Sequence, residues 1–334
     1  MQRRMFLSNM AIAGAGWCIA PALKSVFPEN SSGKKLGIIG LDTSHSVAFT
    51  KALNGAGAAS LYNGYKIVSA YPFGSRTIQS SFSRIEGYTK EVEALDVKIA
   101  ASIPELLAEV DGVLLETNDG RLHPEQARLV IEAGKPLFID KPVAADFKSV
   151  AAIYKLAEQH QVPLFSSSSL RFIDGMDQVY SDAIGKVTGT DVFSPAIIEP
   201  THPDLYWYGI HGVEMLFAIM GTGCRSVKRI FNSGTDIVTG TWEDGRIGVF
   251  RGTRTGAQEF GGTVHGEKGV LHLGKFTGYE RLLQRIVHFF ETGIAPVASA
   301  ETLELYAFMS AADLSKKRNG KSVSLKEVYA KAKG

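Results

Sequence analysis

The chain is poor in cysteine and carries no block of like charge. Cys18 and Cys224 are its two thiols in 334 residues, and its formal net charge is +2. Lysine and arginine are spread along the sequence without a long run, so the electrostatic footprint of a nucleic-acid binder is missing. Long apolar runs are missing as well. The stretch from Met10 to about Ala22 falls short of the ~20 helical residues that span a bilayer. There is no internal repeat and no low-complexity segment. What remains is 45% hydrophobic residues in a chain of this length, enough for two cores and hence two domains. A small molecule is the expected partner.

The opening "MQRRMFLSNMAIAGAGWCIAPALKS" joins Arg3 and Arg4 to Phe6-Leu7 and an apolar run that ends in small residues. It reads as a twin-arginine export signal, with residues 1–30 as signal peptide and linker and the periplasm as destination. Trp17 before Cys18 suits a lipoprotein cleavage site poorly, so no membrane anchor is expected once the signal is removed. Cys224 would then be the sole cysteine, which excludes an internal disulfide and accords with folding before export. A bound nucleotide would be loaded in the cytoplasm.

From residue 34 to about 166, short apolar segments alternate with helical ones. "KLGIIGL", "YKIVSAY", "VKIAAS", "GVLLET", "PLFID" and "VPLFSS" read as strands. "SHSVAFTKALN", "SRIEGYTKEVEAL", "IPELLAEV", "HPEQARLVIEAG" and "DFKSVAAIYKLAEQHQ" read as helices, the last with Asp146 as its cap. This alternation predicts a doubly wound, Rossmann-like parallel sheet with ligands at the carboxyl ends of its strands. From 167 to 334 the texture changes. An apolar helix around "HGVEMLFAIMG" precedes segments that alternate apolar and polar with glycine turns, and "AETLELYAFMSAADLSKKRNG" reads as a final helix. A C-terminal α+β domain on a large, mostly antiparallel sheet is expected.

The first strand runs into "GIIGLDTSH", residues 37–45, where a phosphate-binding glycine loop belongs. Gly37 and Gly40 are present, and Asp42, Thr43, Ser44 and His45 complete the expected cofactor contacts. If Gly40 is the first glycine of a G-x-G-x-x-G, however, Asp42 and His45 stand at the second and third places. A carboxylate there opposes a diphosphate. The second strand also lacks the acidic residue that grips a ribose; Ser75 and Arg76 offer a 2'-phosphate site instead, which favours NADP over NAD.

Residues 111–146, "DGVLLETNDGRLHPEQARLVIEAGKPLFIDKPVAAD", closely resemble the segment shared by the glucose-fructose oxidoreductase, inositol dehydrogenase and rhizopine-catabolism (Gfo/Idh/MocA) family. The matching pieces are Thr117-Asn118, His123-Pro124 and Asp140-Lys141-Pro142, with Asp where the family has Glu. The resemblance implies an N-terminal NAD(P) domain, a C-terminal open sheet used for homo-oligomers, and a sugar or polyol substrate. It implies that Lys141 polarises the reacting hydroxyl, with Thr117, Asn118 and His123 along the cofactor. The family's Asp-x-x-x-His falls on "WYGIHGVEML", which makes His211 the general base, with an ordinary pKa near working pH. Trp207 occupies the aspartate position, and Glu214 one turn later is the expected partner of the imidazole.

Around these, "EPTHPDLYWYG" offers His202, Asp204, Tyr206 and Trp207 to wall a sugar pocket. Arg171 stands either for a substrate oxygen or for an ion pair at the domain junction. His202 with Asp204 is too few ligands for a metal, so none is expected. The reading is an NAD(P)-dependent oxidoreductase of a carbohydrate or polyol with tightly held cofactor. Two alternatives stand beside it: a glycoside hydrolase or lyase that oxidises transiently, and a sugar-binding relative without catalysis.

Overall fold

A computed structural model describes residues 34–333; the expected signal peptide lies outside them. The first sheet contains β1 (Lys35–Ile39), β2 (Lys66–Tyr71), β3 (Lys98–Ile99), β4 (Gly112–Leu115), β5 (Leu137–Ile139) and β6 (Leu164–Ser166). Their order is β3-β2-β1-β4-β5-β6, all parallel, so the chain reverses its winding beside β1. The register sets Ile38 opposite Ala70 on one side and Leu114 on the other. Both faces of these strands are covered, which is why they read as unbroken apolar runs and not as alternating ones. The helix Phe147–Gln159 begins where Asp146 accepts the backbone N–H of Ser149 at 2.8 Å.

The second sheet contains β7 (Val187–Pro195), β8 (Cys224–Phe231), β9 (Thr235–Trp242), β10 (Ile247–Thr253), β11 (Gly261–Gly266), β12 (Val270–Leu273) and β13 (Val323–Ser324). Its order is β12-β11-β7-β10-β9-β8-β13, antiparallel except where β7 lies parallel to β10. Burial alternates along β9, as a sheet with one covered face requires. Helices Ile210–Met220 and Ser299–Lys317 cover that face. On the other, Phe193, Ile230, Ile247 and Val270 are exposed.

One helix departs from the sequence-derived division of the chain. Glu280–Thr292 carries Leu282, Leu283, Ile286, Phe289 and Phe290 at helical spacing, and it packs with Leu36, Ile38, Leu114, Phe138 and Phe165 of the first sheet. Phe289 meets Phe165 edge to face at 4.7 Å. One layer of the first domain is thus supplied from beyond residue 167.

Beneath the second sheet, Arg229 of β8 is fully buried. Its guanidinium donates to Asp236 at 2.8 Å, Asp313 at 2.7 Å and Asp204 at 2.8 Å, and its backbone N–H donates to Ser315 Oγ at 2.9 Å. The cluster pins helix Ser299–Lys317 to the sheet. Removing Arg229 takes away the cation that joins all three acids, leaving Asp204 with Lys316, Asp236 with Arg254 and Asp313 without its guanidinium partner, so Arg229→Ala is expected to lower the unfolding free energy by about 3–5 kcal/mol. Urea denaturation checks this, and a loss below ~1 kcal/mol would deny the cluster that role.

Candidate active site

A cavity of about 520 Å³ lies between the domains at the carboxyl ends of the parallel strands. Its floor comes from the first domain: Thr43, Ser44 and His45 after β1, Asn118 after β4, and Lys141 after β5. Its far wall comes from the second: Trp207, Tyr208 and His211, with Phe260, Phe276 and Tyr279.

Local backbone explains the floor. Gly40 has φ +96, and a Cβ there would come within 2.4 Å of the Thr117 nitrogen, so the ends of β1 and β4 meet only over a glycine. Gly37 does different work from that expected. It lies within β1, where a Cβ would strike Leu106 at 2.6 Å, so it serves helix packing and not a cofactor. Helix Ser44–Asn54 starts at Thr43 without a side-chain cap and with no acid in its first turn. Its opening N–H groups therefore suit an anion.

Asp42 turns inward. Its carboxylate accepts the backbone N–H of Ser75 at 3.0 Å and of Asn118 at 3.0 Å, tying the turns that follow β2 and β4. Burial pushes its pKa up, and those two N–H bonds pull it back. Both oxygens of the fully buried carboxylate are engaged by these donors, so the helix start is the part of the loop that fits a nucleotide phosphate. Ser75 is not at a 2'-phosphate site as expected: it is buried and its hydroxyl donates to Asp119 at 2.7 Å. Arg76 is exposed at a separate cavity of about 640 Å³ beyond β2, over the Phe73 ring.

Several other expected contacts are also redirected. Thr117 is buried, and its carbonyl accepts from His123 Nε2 at 2.6 Å. His123 does not edge a cofactor. It is sealed between the carbonyls of Thr117 and Val143, and burial holds it below the usual histidine range although both carbonyls favour its proton.

His211 opens helix Ile210–Met220 after a π-helical turn, Leu205–Gly209, that carries Trp207 and Tyr208 to the cavity. The next residue is Gly212, where a Cβ would lie 2.2 Å from the Phe250 ring; its absence lets the helix sit on the sheet and fixes the depth of His211. The imidazole is not oriented by Glu214. Its Nδ1 lies 2.7 Å from Ser168 Oγ, and Tyr208 and Phe260 meet it edge-on. Nor is its pKa ordinary. Burial, then the charges of Lys141 and His45, push it well below the usual range, so the ring is neutral at neutral pH. Glu214 pairs with Arg171, which also reaches Glu301 at 2.6 Å; all this lies under the helix, so neither residue is at the substrate.

Asp204 and Tyr206 likewise leave the pocket. Asp204 binds Arg229 and Lys316, and the buried Tyr206 hydroxyl lies 2.7 Å from Ser310 Oγ. His202 is buried at the domain junction beside Trp207, where its Nε2 accepts the Gly120 N–H at 3.1 Å. Its proton therefore sits on Nδ1, facing Thr201 Oγ1 at 2.9 Å. Residues that sequence reasoning passed over include Ser168, Tyr279 and Glu116. Glu116 carried a signal: it is a carboxylate closing the apolar run "GVLL".

Comparison with known proteins places the first domain. Residues 9–168 match the family described as "Oxidoreductase family, NAD-binding Rossmann fold". Myo-inositol dehydrogenase Hyg17 of Streptomyces leeuwenhoekii is 36% identical over 83 residues, which span 25% of this chain and about a quarter (26%) of that enzyme's length. Solved structures share the whole fold. Myo-inositol 2-dehydrogenase of Lactobacillus plantarum has a TM-score of 0.70 at 16% identity, covering 87% of this chain and 99% of that one. Scyllo-inositol dehydrogenase of Lactobacillus casei, solved with NAD(H) and scyllo-inositol, has a TM-score of 0.67 at 15% identity, covering 88% and 99%. The sheet order and these matches show a Rossmann fold of the NAD-binding kind in the first domain. Over those residues the chain is similar to the Gfo/Idh/MocA family.

Burial holds His202 at about 4, below its unfolded value near 6.5. Below 6.5 the unfolded chain takes up a proton that the folded chain refuses, so this residue's contribution is complete above pH 6.5 and lost as pH falls toward 4. His202→Gln keeps an acceptor for Gly120. Thermal melts between pH 4.5 and 7 are expected to fall less steeply with acid in this variant than in the parent chain.

Proposed function

We propose that this chain oxidises a carbohydrate or polyol hydroxyl, or reduces the matching ketone, with NAD(P) held in the cleft between its domains. The observation that carries the reading is one cavity bounded by Lys141 below and a neutral, buried His211 opposite. When bound, the nicotinamide supplies the hydride acceptor or donor. The protein's own part is proton and charge handling. In the tautomer with Nδ1–H donated to Ser168 Oγ, His211 Nε2 is the basic atom and takes the hydroxyl proton. Lys141 stabilises the negative charge that develops on that oxygen. The half-buried Trp207 and Tyr208 offer flat faces to the apolar side of a ring, and Asn118 adds a polar contact at the floor.

Export to the periplasm is part of the proposal, and with it a cofactor that stays bound through turnover. Self-association through the second sheet is supported by its exposed Phe193, Ile230 and Ile247. A sugar-binding relative that has lost its nucleotide is the second reading, favoured by Asp42 and His45 standing at two of the loop's glycine places.

Denaturing the purified protein and identifying released nucleotide by mass spectrometry separates the two. Near one NAD or NADP per chain is expected; none, with none bound on adding it back, would leave the binding-only reading. In steady-state assays with the sugar or polyol that turns over, Lys141→Ala is expected to lower kcat by about 10²–10³ and His211→Ala by about 10²–10⁴. Nucleotide content should be retained in His211→Ala.

A further inference from the structure

The loop that departs from the glycine pattern ends in His45, and His45 has acquired partners. Its Nδ1 lies 2.9 Å from Asp140 Oδ2 and 3.9 Å from Glu116 Oε2. The three side chains meet at the ends of three adjacent strands: His45 in the first turn of the helix that follows β1, Glu116 just after β4, Asp140 just after β5. One ligand atom from each falls within 4.8 Å of the others, and the separations from His45, 2.9 and 3.9 Å, suit one ion at metal–ligand distances of about 2.0–2.2 Å.

We propose that His45, Glu116 and Asp140 bind one divalent first-row transition-metal ion, in the Zn²⁺ or Mn²⁺ class, beneath the floor of the cleft.

A second, independent observation points to a missing ligand. Glu116 is fully buried, yet neither of its carboxylate oxygens has a hydrogen-bond partner; Asp140, 3% exposed, keeps one oxygen on His45 and has none for the other. Buried carboxylate oxygens are ordinarily hydrogen-bonded, and leaving one bare is costly, the more so when charged. Three bare oxygens around one imidazole are the donors that a cation would satisfy.

Ligand chemistry narrows the ion. An imidazole excludes the all-oxygen preference of Ca²⁺ and Mg²⁺, and the lack of a thiolate disfavours the soft ions. Two carboxylates and a neutral imidazole balance a dication. The imidazole is held for the task by ring stacking on Phe49 at 5.5 Å and an edge contact with Tyr279 at 4.7 Å. In the metal-free chain Nδ1–H donates to Asp140; for Nδ1 to bind the ion that proton moves to Nε2, and the ring stays neutral. His45 also lines the cavity beside Lys141, so an ion held by these residues would adjoin the place proposed for the substrate oxygen, where it could act as a Lewis acid. The pair His202 and Asp204, with ligand-type side chains close in sequence, takes no part: one is bonded to Gly120 and the other to Arg229.

The proposal stands apart from nicotinamide use and is tested without activity. The purified full chain is stripped with a chelator, dialysed, and titrated calorimetrically with ZnCl₂ and separately with MnCl₂. One ion per chain is expected for at least one metal, with a rise in melting temperature. Glu116→Gln is isosteric and Asp140→Asn nearly so; each is expected to weaken binding at least ~10-fold, since even outer-sphere partners of a metal are worth 10–100-fold. Glu125→Gln, on an exposed helix face, controls for surface binding and should change nothing. X-ray absorption on the zinc-loaded parent chain should give a nitrogen and oxygen shell with imidazole scattering, a readout that holds if a variant fails to fold. No stoichiometric uptake of either ion, equal uptake by both carboxylate variants, or a shell without imidazole would each overturn the assignment.

Discussion

The structure depends on a constraint peculiar to a parallel sheet buried on both faces. Its strands can be as apolar as the interior demands, but each must end, and at the ends backbone N–H groups and side chains meet where neither water nor a neighbouring strand can serve them. In this chain the ends of β1, β4 and β5 lie side by side, and everything chemical in the first domain gathers there. Asp42 satisfies the turns after β2 and β4; His123 bridges the carbonyls of Thr117 and Val143. Lys141 emerges into the cleft from the same edge. The departures from the glycine loop are therefore not scattered losses. They form a connected polar layer, with Asp42 facing backbone donors and His45 facing carboxylates.

The first domain was legible because its signals are local. Every strand expected from an apolar run between residues 35 and 167 is present, and the helix bounds agree closely, since buried parallel strands and capped helices announce themselves over a few residues. The second domain was legible in class but not in detail. Strand β8 alternates around a buried arginine, so "CRSVKRIF" looks like a solvated segment until Asp204, Asp236 and Asp313 are seen to surround Arg229. Helix Glu280–Thr292 shows clear periodicity, yet no local feature says that its partner is the distant first sheet.

The site divided along the same line. Lys141, Asn118, Trp207 and His211 all reach the cleft, the loop residues Thr43, Ser44 and His45 with them. What could not be read was which polar residue pairs with which. Glu214 stands one helical turn from His211, but its proximity along the chain counts for less than Arg171, a buried cation brought in by the segment after β6. Ser168, from a run of serines without distinguishing pattern, orients the imidazole instead. Pairings of this kind are settled by long-range packing, and sequence spacing does not encode them.

The return of helix Glu280–Thr292 to the first sheet bears on how the protein is made. Leu36 and Ile38 leave the ribosome early, while Leu282, Ile286 and Phe290, which cover them, follow roughly 250 residues later. At elongation rates of ~5–20 residues per second, one face of the nascent sheet stays uncovered for about 12–50 s. The first domain is thus contiguous as a topology but not as a unit of biosynthesis, and chaperone engagement during translation is the natural counterpart of its late-arriving layer.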